Sequence, residues 1–487
     1  MPNAWETLGS PKFVLAPMVD ASELAWRLLS KKHGAQLCYS PMLHSQVFAR
    51  DTRYRKEYFH TCKEDRPLVV QFCANNADTL LKAARFVEPI CDAVDINLGC
   101  PQAIAKRGHY GAFLQDEWDL LTDMVKTLRA NLNIPVTCKI RVFKDTSHTV
   151  AYAKMLEAAG CQMLTVHGRT REQKGPLTGL ASWDHIKAVR ESVNIPVLAN
   201  GNIQCLEDVE RCIKYTGCVG VMSAEGNLHN PGLFEGKHPK TWEVAVEYLD
   251  LVVKYPCPLS YTRGHLFKIF HALFTLSENN DFREGIAKGQ SLTEFYQIIS
   301  NIKEKYAPIH AGEAPNTLEQ PDYDLRVPPW LCQPHVRIPP EQHLKKLEES
   351  RIKVANESKS EKENMNESMK RNLEDSPQLS KNKLKKLKRR GKLSTHTRRV
   401  FDKCLTCPNP AGEKCSESLC KVCCRVKCYA DDLDCDGHRL FIKSKRERAK
   451  KNLEKKKNDV SCSKPTPVAN PSDSISRTSP AEKMNCR

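Results

Sequence analysis

One cysteine of this sequence occupies a position suited to a catalytic acid. Cys100 comes just after a short apolar run, Ala93–Ile96, that is predicted to be a strand. If that strand belongs to a parallel βα barrel, its carboxyl end lies at the face where such barrels carry their active sites. A thiol there can deliver a proton to a substrate held over the barrel mouth. The alternative is a buried cysteine that only packs, as we expect of most of the other eleven cysteines before Cys404.

Polar side chains also follow the other predicted strands of this region. Gln71, Lys139, His167 and Asn200 are such residues, and each could instead serve as a structural side chain at a strand end. Gly201 lies in the loop after the seventh strand, and the loops after strands seven and eight of such barrels bind phosphate through backbone N–H groups. A lysine and a histidine at the mouth suit a polar ring. A flavin mononucleotide fits this set better than a bare sugar phosphate, although both remain open at this point.

A second concentration of chemistry lies near the carboxyl end, where eight cysteines occur between Cys404 and Cys435. Pairs spaced Cys-x2-Cys direct two thiolates at one ion and are typical of tetrahedral zinc sites. Eight or nine candidate ligands in 35 residues predict two zinc ions in a small cross-braced, RING-like finger. Cys428 is favoured over Cys424, and the alternative is a loop of reduced cysteines without metal. The predicted ligands are Cys404, Cys407, Cys415, Cys420, Cys423, Cys428, Cys435 and His438.

The first half of the chain must supply the elements that position Cys100. Short apolar runs alternate there with amphipathic segments of helical length, and Pro135 and Pro196 mark turns from a helix into a strand. Eight strands with crossovers in about 230 residues predict the α/β class and a closed (β/α)8 TIM barrel. The alternative, an open doubly wound sheet, lacks its glycine-rich fingerprint after the first strand. The predicted strands are Phe13–Ala16, Gln36–Tyr39, Leu68–Phe72, Ala93–Ile96, Val136–Ile140, Met163–Val166, Val197–Ala199 and Val219–Met222.

Changes in composition along the chain divide it into six regions. Helical periodicity without strand signals predicts a small helical domain after the barrel, and the prolines that follow predict an extended surface segment. Residues poor in large apolar side chains then predict a disordered linker. The predicted regions are a barrel at 1–240, a helical domain at 241–307, a Pro-rich extension at 308–340, a disordered basic linker at 341–402, the finger at 403–442 and a disordered tail at 443–487.

Positive charge is concentrated in the carboxyl-terminal third. Residues 341–487 contain 37 Lys and Arg against 21 Asp and Glu, a net charge of +16 out of +17 for the chain. Lys381–Arg399 alone holds ten basic residues and no acidic one, which predicts RNA binding; the alternatives are a nuclear localisation signal or a solvated linker. The sequence has no apolar run of about 18 residues and no recognisable targeting peptide, so we expect a cytosolic or nuclear protein without a membrane span.

Five motifs together give the sequence a resemblance to the tRNA dihydrouridine synthases. These flavoenzymes reduce uridine in tRNA. The resemblance covers about Pro11 to Tyr306 and is greatest to the eukaryotic branch associated with D-loop positions 16 and 17. The motifs are APM at 16–18, DINLGCP at 95–101, GHYGA at 108–112, VHGRT at 166–170 and NGN at 200–202.

The resemblance implies a role for each candidate residue. Cys100 would donate a proton to uracil C5, while hydride passes from N5 of an FMN reduced by NADPH, or NADH, to uracil C6. Tail residues could bind tRNA phosphates. The implied FMN contacts are Pro17, Met18 and Val19 along the ring system, Gln71, Lys139 and His167 at its polar edge and ribityl chain, and Asn200, Gly201, Asn202, Ala224 and Glu225 around the phosphate.

One position departs from the family pattern. Many members have a Gly-Arg pair after strand eight, where this chain has Ala224-Glu225. A carboxylate beside a phosphate is unfavourable unless it turns away, so backbone N–H groups would have to carry more of the binding. Two other functions compete with tRNA reduction: an FMN reductase of a small molecule, and an RNA-binding zinc-finger protein with an inactive barrel. The basic tail disfavours the first, and the intact Cys100, Lys139 and His167 disfavour the second.

Overall fold

The computed structural model describes residues 3–316, 327–335, 337, 339–345, 348–350, 402–407, 409–444 and 446–447. The chain forms two compact units, Met1–Glu363 and Asn364–Arg487. The basic run Lys381–Arg399 lies outside the described residues, as does nearly all of the predicted linker and tail. Within the described residues no helix is long and apolar enough to cross a membrane.

A closed parallel barrel is the centre of the first unit, as predicted. Strand β1 pairs with β2 on one side and with β9 on the other, which closes the sheet and rules out the open alternative. The short β3 pairs with the end of β4, next to β2, so eight strand positions surround the barrel axis. The strands are β1 Phe13–Leu15, β2 Leu37–Tyr39, β3 Leu43–His44, β4 Leu68–Cys73, β5 Ala93–Leu98, β6 Val136–Arg141, β7 Met163–His167, β8 Val197–Asn200 and β9 Gly220–Ser223.

Helices surround the barrel and turn their apolar sides toward it. Side-chain caps begin several of them; Ser182 and Asp145, for example, each accept a hydrogen bond from a backbone N–H of the first turn. The helices of the first unit are α1 Ala4–Thr7, α2 Leu24–Lys32, α3 Ser45–Arg50, α4 Thr52–Tyr58, α5 Ala77–Val87, α6 Ala103–Gly108, α7 Trp118–Asn131, α8 Thr146–Ala158, α9 Trp183–Ser192, α10 Leu206–Thr216, α11 Glu225–His229, α12 Thr241–Lys254, α13 Leu259–Ile269, α14 Asn280–Lys288 and α15 Leu292–Ala311.

The inside of the barrel is divided into an apolar lower layer and a polar upper layer. Val69, Ala93 and Met163 pack together in the lower layer, where Ala4 and Leu8 at the amino-terminal helix join them. Because side chains alternate along a strand, residues two positions further toward the carboxyl ends face the same interior. Those positions carry polar side chains, so the sequence pattern places a buried polar surface at the active-site end.

The structure corrects the predicted boundary between the helical domain and the Pro-rich extension. Pro308 was placed in an extended surface segment, but it lies inside α15, which ends at Ala311 before Gly312 (φ +78°). Loss of one N–H donor this close to a helix end removes a single bond, and the helix continues past it. Further along, Trp330 and Cys332 are buried, and the Trp330 ring stacks on Tyr306 with 5.8 Å between centroids.

Candidate active site and metal centre

Strand register places polar residues of the upper layer side by side, among them the predicted Gln71, Lys139, His167 and Asn200. Neighbouring strands pair these residues directly, at successive heights toward the carboxyl ends of the strands. The pairs are Gln71 with Asp95, Asp95 with Thr137, Asn97 with Lys139, Arg141 with His167, and His167 with Asn200.

A chain of hydrogen bonds runs across this layer from Asp95 to Cys100. Gln71 Nε2 donates to Asp95 Oδ2 at 2.8 Å, and Asn97 Nδ2 donates to Gln71 Oε1 at 2.8 Å. Asn97 Oδ1 then accepts the backbone N–H of Cys100 at 2.9 Å. Thr137 Oγ1 donates to the other oxygen of Asp95. Each amide is therefore oriented by its neighbour, and the chain fixes the backbone that carries Cys100.

Close backbone packing holds Cys100 from its other side. The N–H of Ala112 donates to the Cys100 carbonyl at 3.1 Å. Gly111 has a φ of +68°, and a Cβ there would lie 2.9 Å from the Cys100 carbonyl oxygen and 3.0 Å from its Cβ. Only glycine meets both conditions without displacing the cysteine. Cys100 itself is partly exposed, as a group that reaches a substrate must be.

Lys139 is a half-buried cation with little negative charge around it. Its ammonium donates to Asn200 Oδ1 at 2.8 Å, and Asn200 Nδ2 donates to the Met222 carbonyl at 2.9 Å. Burial, and then the nearby Arg141, lower the pKa of Lys139 to about 8, with Asp95 opposing the change. Burial also raises the pKa of Asp95, to about 6. A ligand that presents a polar or negative edge to this ammonium would stabilise it.

His167 is held neutral and in one tautomer. Burial lowers its pKa well below 6.5, and the charges of Lys139, Arg141 and Arg169 act in the same direction. Its Nε2 lies 3.1 Å from Arg169 Nη1. A guanidinium only donates, so Nε2 accepts and the ring proton is assigned to Nδ1. The imidazole can therefore offer one N–H to a ligand.

The loops after β8 and β9 form a close-fitting end to the site. Gly201 has a φ of +114°, and a Cβ there would lie 2.6 Å from the Ala181 Cβ and 3.2 Å from the His167 ring. Asn202 is fixed by two hydrogen bonds to the backbone of Ala181 and one from Arg169. Ala224 directly precedes α11. The first helical residue, Glu225, points its carboxylate to Arg337, which donates at 2.7 and 2.6 Å.

The remaining predicted contacts lie in the turn after β1. Pro17 and Met18 are partly buried, and Ser22 ties the turn by accepting from the Met18 N–H and donating to its carbonyl. Val19 is 57% exposed. This turn therefore offers mainly backbone and apolar surface at the mouth, in agreement with the contact type expected from the sequence.

Several residues of the site were missing from the sequence prediction. Asp95, at the start of the hydrogen-bond chain, could have been found because a charged residue inside an apolar strand is costly unless it is bonded. Arg141, which is buried, and Arg169, which is half-buried, also donate to loop carbonyls at this end of the barrel. The sequence around Arg337 contains no pattern that indicates a place in this site.

The cysteine-rich unit contains two groups of side chains that could hold metal ions. It contains helix α16, Lys421–Ala430, which is followed by two short strands, β10 Asp434–Cys435 and β11 Leu440–Phe441. Sulfur separations of 3.6 Å from Cys407 to Cys420 and to Cys423 fit tetrahedral zinc, whose thiolates lie about 3.8 Å apart. The first group is Cys404, Cys407, Cys420 and Cys423, and the second is Cys415, Cys424, Cys435 and His438. The groups interleave along the chain, as a cross-braced finger requires.

The second group corrects one predicted ligand. Cys424, not Cys428, lies within reach of Cys415, Cys435 and His438. Cys424 and Cys428 share one face of α16 because they are four residues apart, and their sulfurs are 3.8 Å from each other. The spacing therefore allowed either residue, and the position of the helix selects the earlier one.

Comparison with known proteins identifies the family. The family described as dihydrouridine synthase matches residues 14–303, which is more than half of the chain. A Mus musculus protein named tRNA-dihydrouridine(16/17) synthase NAD(P)(+)-like is 52% identical over 91% of this chain and 90% of its own length. The Schizosaccharomyces pombe tRNA-dihydrouridine(16/17) synthase NAD(P)(+) is 42% identical over 68% of this chain and 90% of its own length. With these similarities, and with a cysteine fixed above a buried polar layer in a closed barrel, the chain belongs to the dihydrouridine synthase family of oxidoreductases.

Proposed function

We propose that this protein reduces uridine to 5,6-dihydrouridine at positions 16 and 17 of the tRNA D loop, with FMN as cofactor and NADPH as reductant. The placement of Cys100 carries the proposal, because its backbone is fixed from two sides at the edge of the polar layer while its side chain stays partly exposed. The names of the relatives, which specify tRNA positions 16 and 17 and NAD(P), support the substrate and the reductant.

The donors of the upper layer fit a flavin. A neutral imidazole N–H on His167, a half-buried ammonium on Lys139 and the amide of Gln71 suit the carbonyl and nitrogen edge of a polar ring. Gly201 lets the loop after β8 pack closely against Ala181 and the His167 ring, which a larger residue would push aside. When bound, FMN supplies the hydride that is transferred from its N5 to uracil C6.

The protein's own contribution is one proton and its placement. Cys100 donates from Sγ to uracil C5, on the carbon next to the one that receives hydride. Asn97 and Ala112 fix the Cys100 backbone, so the thiol approaches the base from a set direction. Such positioning lowers the barrier because no further ordering is needed when the proton moves.

We also assign two zinc ions and an RNA-binding role to the cysteine-rich unit. Its described surface exposes Lys421, Arg425 and Lys443, and the sequence on both sides is strongly basic. Basic segments of this kind bind RNA phosphates with a strong dependence on salt. The unit would then increase the affinity for tRNA, while the barrel provides the chemistry.

Anaerobic reoxidation by tRNA tests the proposed function. Purified full-length protein is reduced with NADPH, mixed with unmodified tRNA, and followed by visible flavin absorbance and by mass spectrometry of the tRNA. Rapid reoxidation with dihydrouridine at positions 16 and 17 is expected. A flavoprotein that ignores tRNA but reduces a small unsaturated acceptor would establish the small-molecule reductase instead. A colourless protein that binds no added FMN would favour the other alternative, an RNA-binding zinc-finger protein with an inactive barrel.

Gly111→Ala is expected to slow uridine reduction by about tenfold or more without loss of bound flavin. The added Cβ would enter the space of the Cys100 carbonyl and displace the thiol, and misplacement by about 1 Å can cost about 10²-fold. Single-turnover rates of tRNA reduction measure the effect. Gly9→Ala is the matched control, since Gly9 also has a positive φ (+85°) but has nothing within 4 Å of an added Cβ. Equal rates for the two variants would contradict the positioning role.

Binding of FMN at about pH 8.5 to 9 is expected to take up a proton at Lys139. Without ligand, its pKa of about 8 leaves the side chain mostly neutral in that range, although an ordinary lysine would be charged. A flavin edge that stabilises the ammonium raises the pKa, so protonation accompanies binding; below about pH 7 the lysine is charged in both states and the uptake vanishes. Calorimetric titration in two buffers of different ionisation enthalpy measures it. Lys139→Met should abolish the uptake, and its persistence in that variant would assign the proton elsewhere.

A further inference from the structure

A segment beyond the span that matches the family returns to the mouth of the barrel. It comprises the described residues 327–335, 337, 339 and 340, here called the return segment, which follow α15 and lie outside the matched residues 14–303. Backbone hydrogen bonds fix its beginning: the Thr241 N–H donates to the Trp330 carbonyl at 2.9 Å, and the Cys332 N–H donates to the Pro239 carbonyl at 2.8 Å. Because Trp330 and Cys332 are also buried, this part of the segment is anchored to the first unit.

The return segment then crosses the loops that follow β8 and β9. Gln204, in the loop after β8, donates from Nε2 to the His335 carbonyl at 3.2 Å. The His335 ring stacks on that of His229, at the end of α11, with 5.2 Å between centroids. Pro340 lies 3.6 Å from the position of a Cβ on Gly179, in the loop after β7. The segment therefore spans the end of the site to which Gly201 and Asn202 belong.

Where the return segment crosses these loops, its Arg337 side chain forms an ion pair with Glu225. Arg337 donates from Nε and Nη2 to the two carboxylate oxygens, at 2.7 and 2.6 Å. Exposed pairs of this kind contribute little to stability, so the location of the pair is more informative than its strength. A guanidinium has five N–H donors, and among the described residues only the Glu225 carboxylate accepts from Arg337, so on this part of the chain the two on Nη1 and the second on Nη2 remain for another acceptor.

A second guanidinium makes the surroundings of this pair positive. Arg169 donates to Asn202 Oδ1 at 3.0 Å and is half-buried. Burial lowers its pKa first, and the charge of Arg337 lowers it further, with Glu225 opposing the change. Two guanidinium groups, of which only Arg337 is paired with Glu225, thus lie close enough beside Asn202 for their charges to interact. An anion with several oxygens would balance the remaining charge and accept the free donors.

We propose that Arg337 completes the phosphate-binding end of the flavin site, and that Glu225 positions it there. The inference rests on the proposed function, because it deepens the same site. It also explains Ala224-Glu225: a carboxylate at this position is compatible with a phosphate when it holds an arginine that contacts the phosphate. The return segment is then part of the cofactor site although it lies more than 100 residues further along the chain.

Comparison of FMN with riboflavin tests this role, because riboflavin lacks only the phosphate. Affinities are measured by fluorescence quenching with flavin-free full-length protein. Arg337→Ala is expected to weaken FMN binding about 10- to 100-fold, as for loss of a hydrogen bond to a charged group, and to change riboflavin binding by less than about twofold. Arg66→Ala is the matched control, since Arg66 forms an exposed 2.7 Å pair with Asp92 at the other end of the barrel. It should change neither affinity.

A double variant that should regain FMN affinity, and two results that would overturn the proposal, complete the test. Adding Glu225→Arg to the Arg337→Ala variant should restore most of the FMN affinity, because it supplies the guanidinium from the loop itself. Equal FMN affinity in the Arg337→Ala and Arg66→Ala variants would overturn the proposal. Equal losses for FMN and riboflavin would overturn it too, since the segment would then only support the fold. The preceding outcomes would contradict only the role of Arg337. Failure of the unaltered protein to bind FMN would contradict the proposed function itself, so the two failures are distinguishable.

Discussion

Replacement of Cys100 by alanine is expected to slow uridine reduction by about 10²- to 10⁴-fold, the usual contribution of a positioned proton donor. Bound flavin and its reduction by NADPH should be unchanged, because the backbone N–H and carbonyl of residue 100 still bond to Asn97 and Ala112. The loss should therefore appear only when reduced protein meets tRNA. Stopped-flow measurement of the two half-reactions separates these steps.

A matched cysteine shows whether the effect belongs to position 100. Cys62 is also partly exposed, but it lies in the connection between α4 and β4 and is not one of the side chains of the polar layer. Cys62→Ala should leave both half-reactions unchanged. If Cys100→Ala reduced tRNA at the normal rate, another group would have to donate the proton, and the proposed mechanism would be wrong.

Replacement of Cys424 by alanine is expected to remove one of two zinc ions and to unfold part of the cysteine-rich unit. Structural zinc contributes about 10–16 kcal/mol of apparent binding free energy, which a unit with so small an apolar core cannot replace. Elemental analysis of the purified full-length protein gives the zinc content. Filter binding should show weaker tRNA affinity, while the flavin content stays constant.

Cys428→Ala is the control for this change, because both cysteines are buried on one face of α16 and lie four residues apart. It should retain both zinc ions, since Cys428 is outside the second group. Loss of zinc from the Cys428 variant alone would reverse the assignment and restore the ligand set expected from the sequence. Unchanged tRNA affinity in the Cys424 variant would remove the RNA-binding role from the unit.

The sequence predicted the barrel well because its strands are buried on both faces. An apolar run such as Ala93–Ile96 is easily recognised between polar loops, and a series of eight such runs is compatible with only a few folds. The predicted strand ended too early because Asn97 looks like a loop residue. In the structure β5 continues to Leu98, and Asn97 turns its amide into the polar layer. Polar residues at a strand end are thus ambiguous until the interior of the barrel is known.

Other features depend on contacts that no local pattern contains. The bounds of helix α14 within the predicted helical domain are hard to read from the sequence, because its nine residues are mostly polar and only Ile286 is buried. The choice between Cys424 and Cys428 depends on where α16 lies relative to Cys415 and Cys435. The partner of Glu225 is 112 residues away. In each case tertiary contacts decide, and a single sequence does not reveal which distant residues meet.

The adjacent cysteines Cys423 and Cys424 would couple the two metal groups of the cysteine-rich unit if zinc occupies both, as proposed. These consecutive residues of α16 belong to different groups, so the first ion to bind would also order the helical turn that the second ion requires. The conformational entropy lost on ordering that turn would be lost once for both ions, which favours binding of the second ion. Half-loaded molecules would then be less common than for two independent groups, and the bound zinc would rise more steeply with the concentration of free zinc.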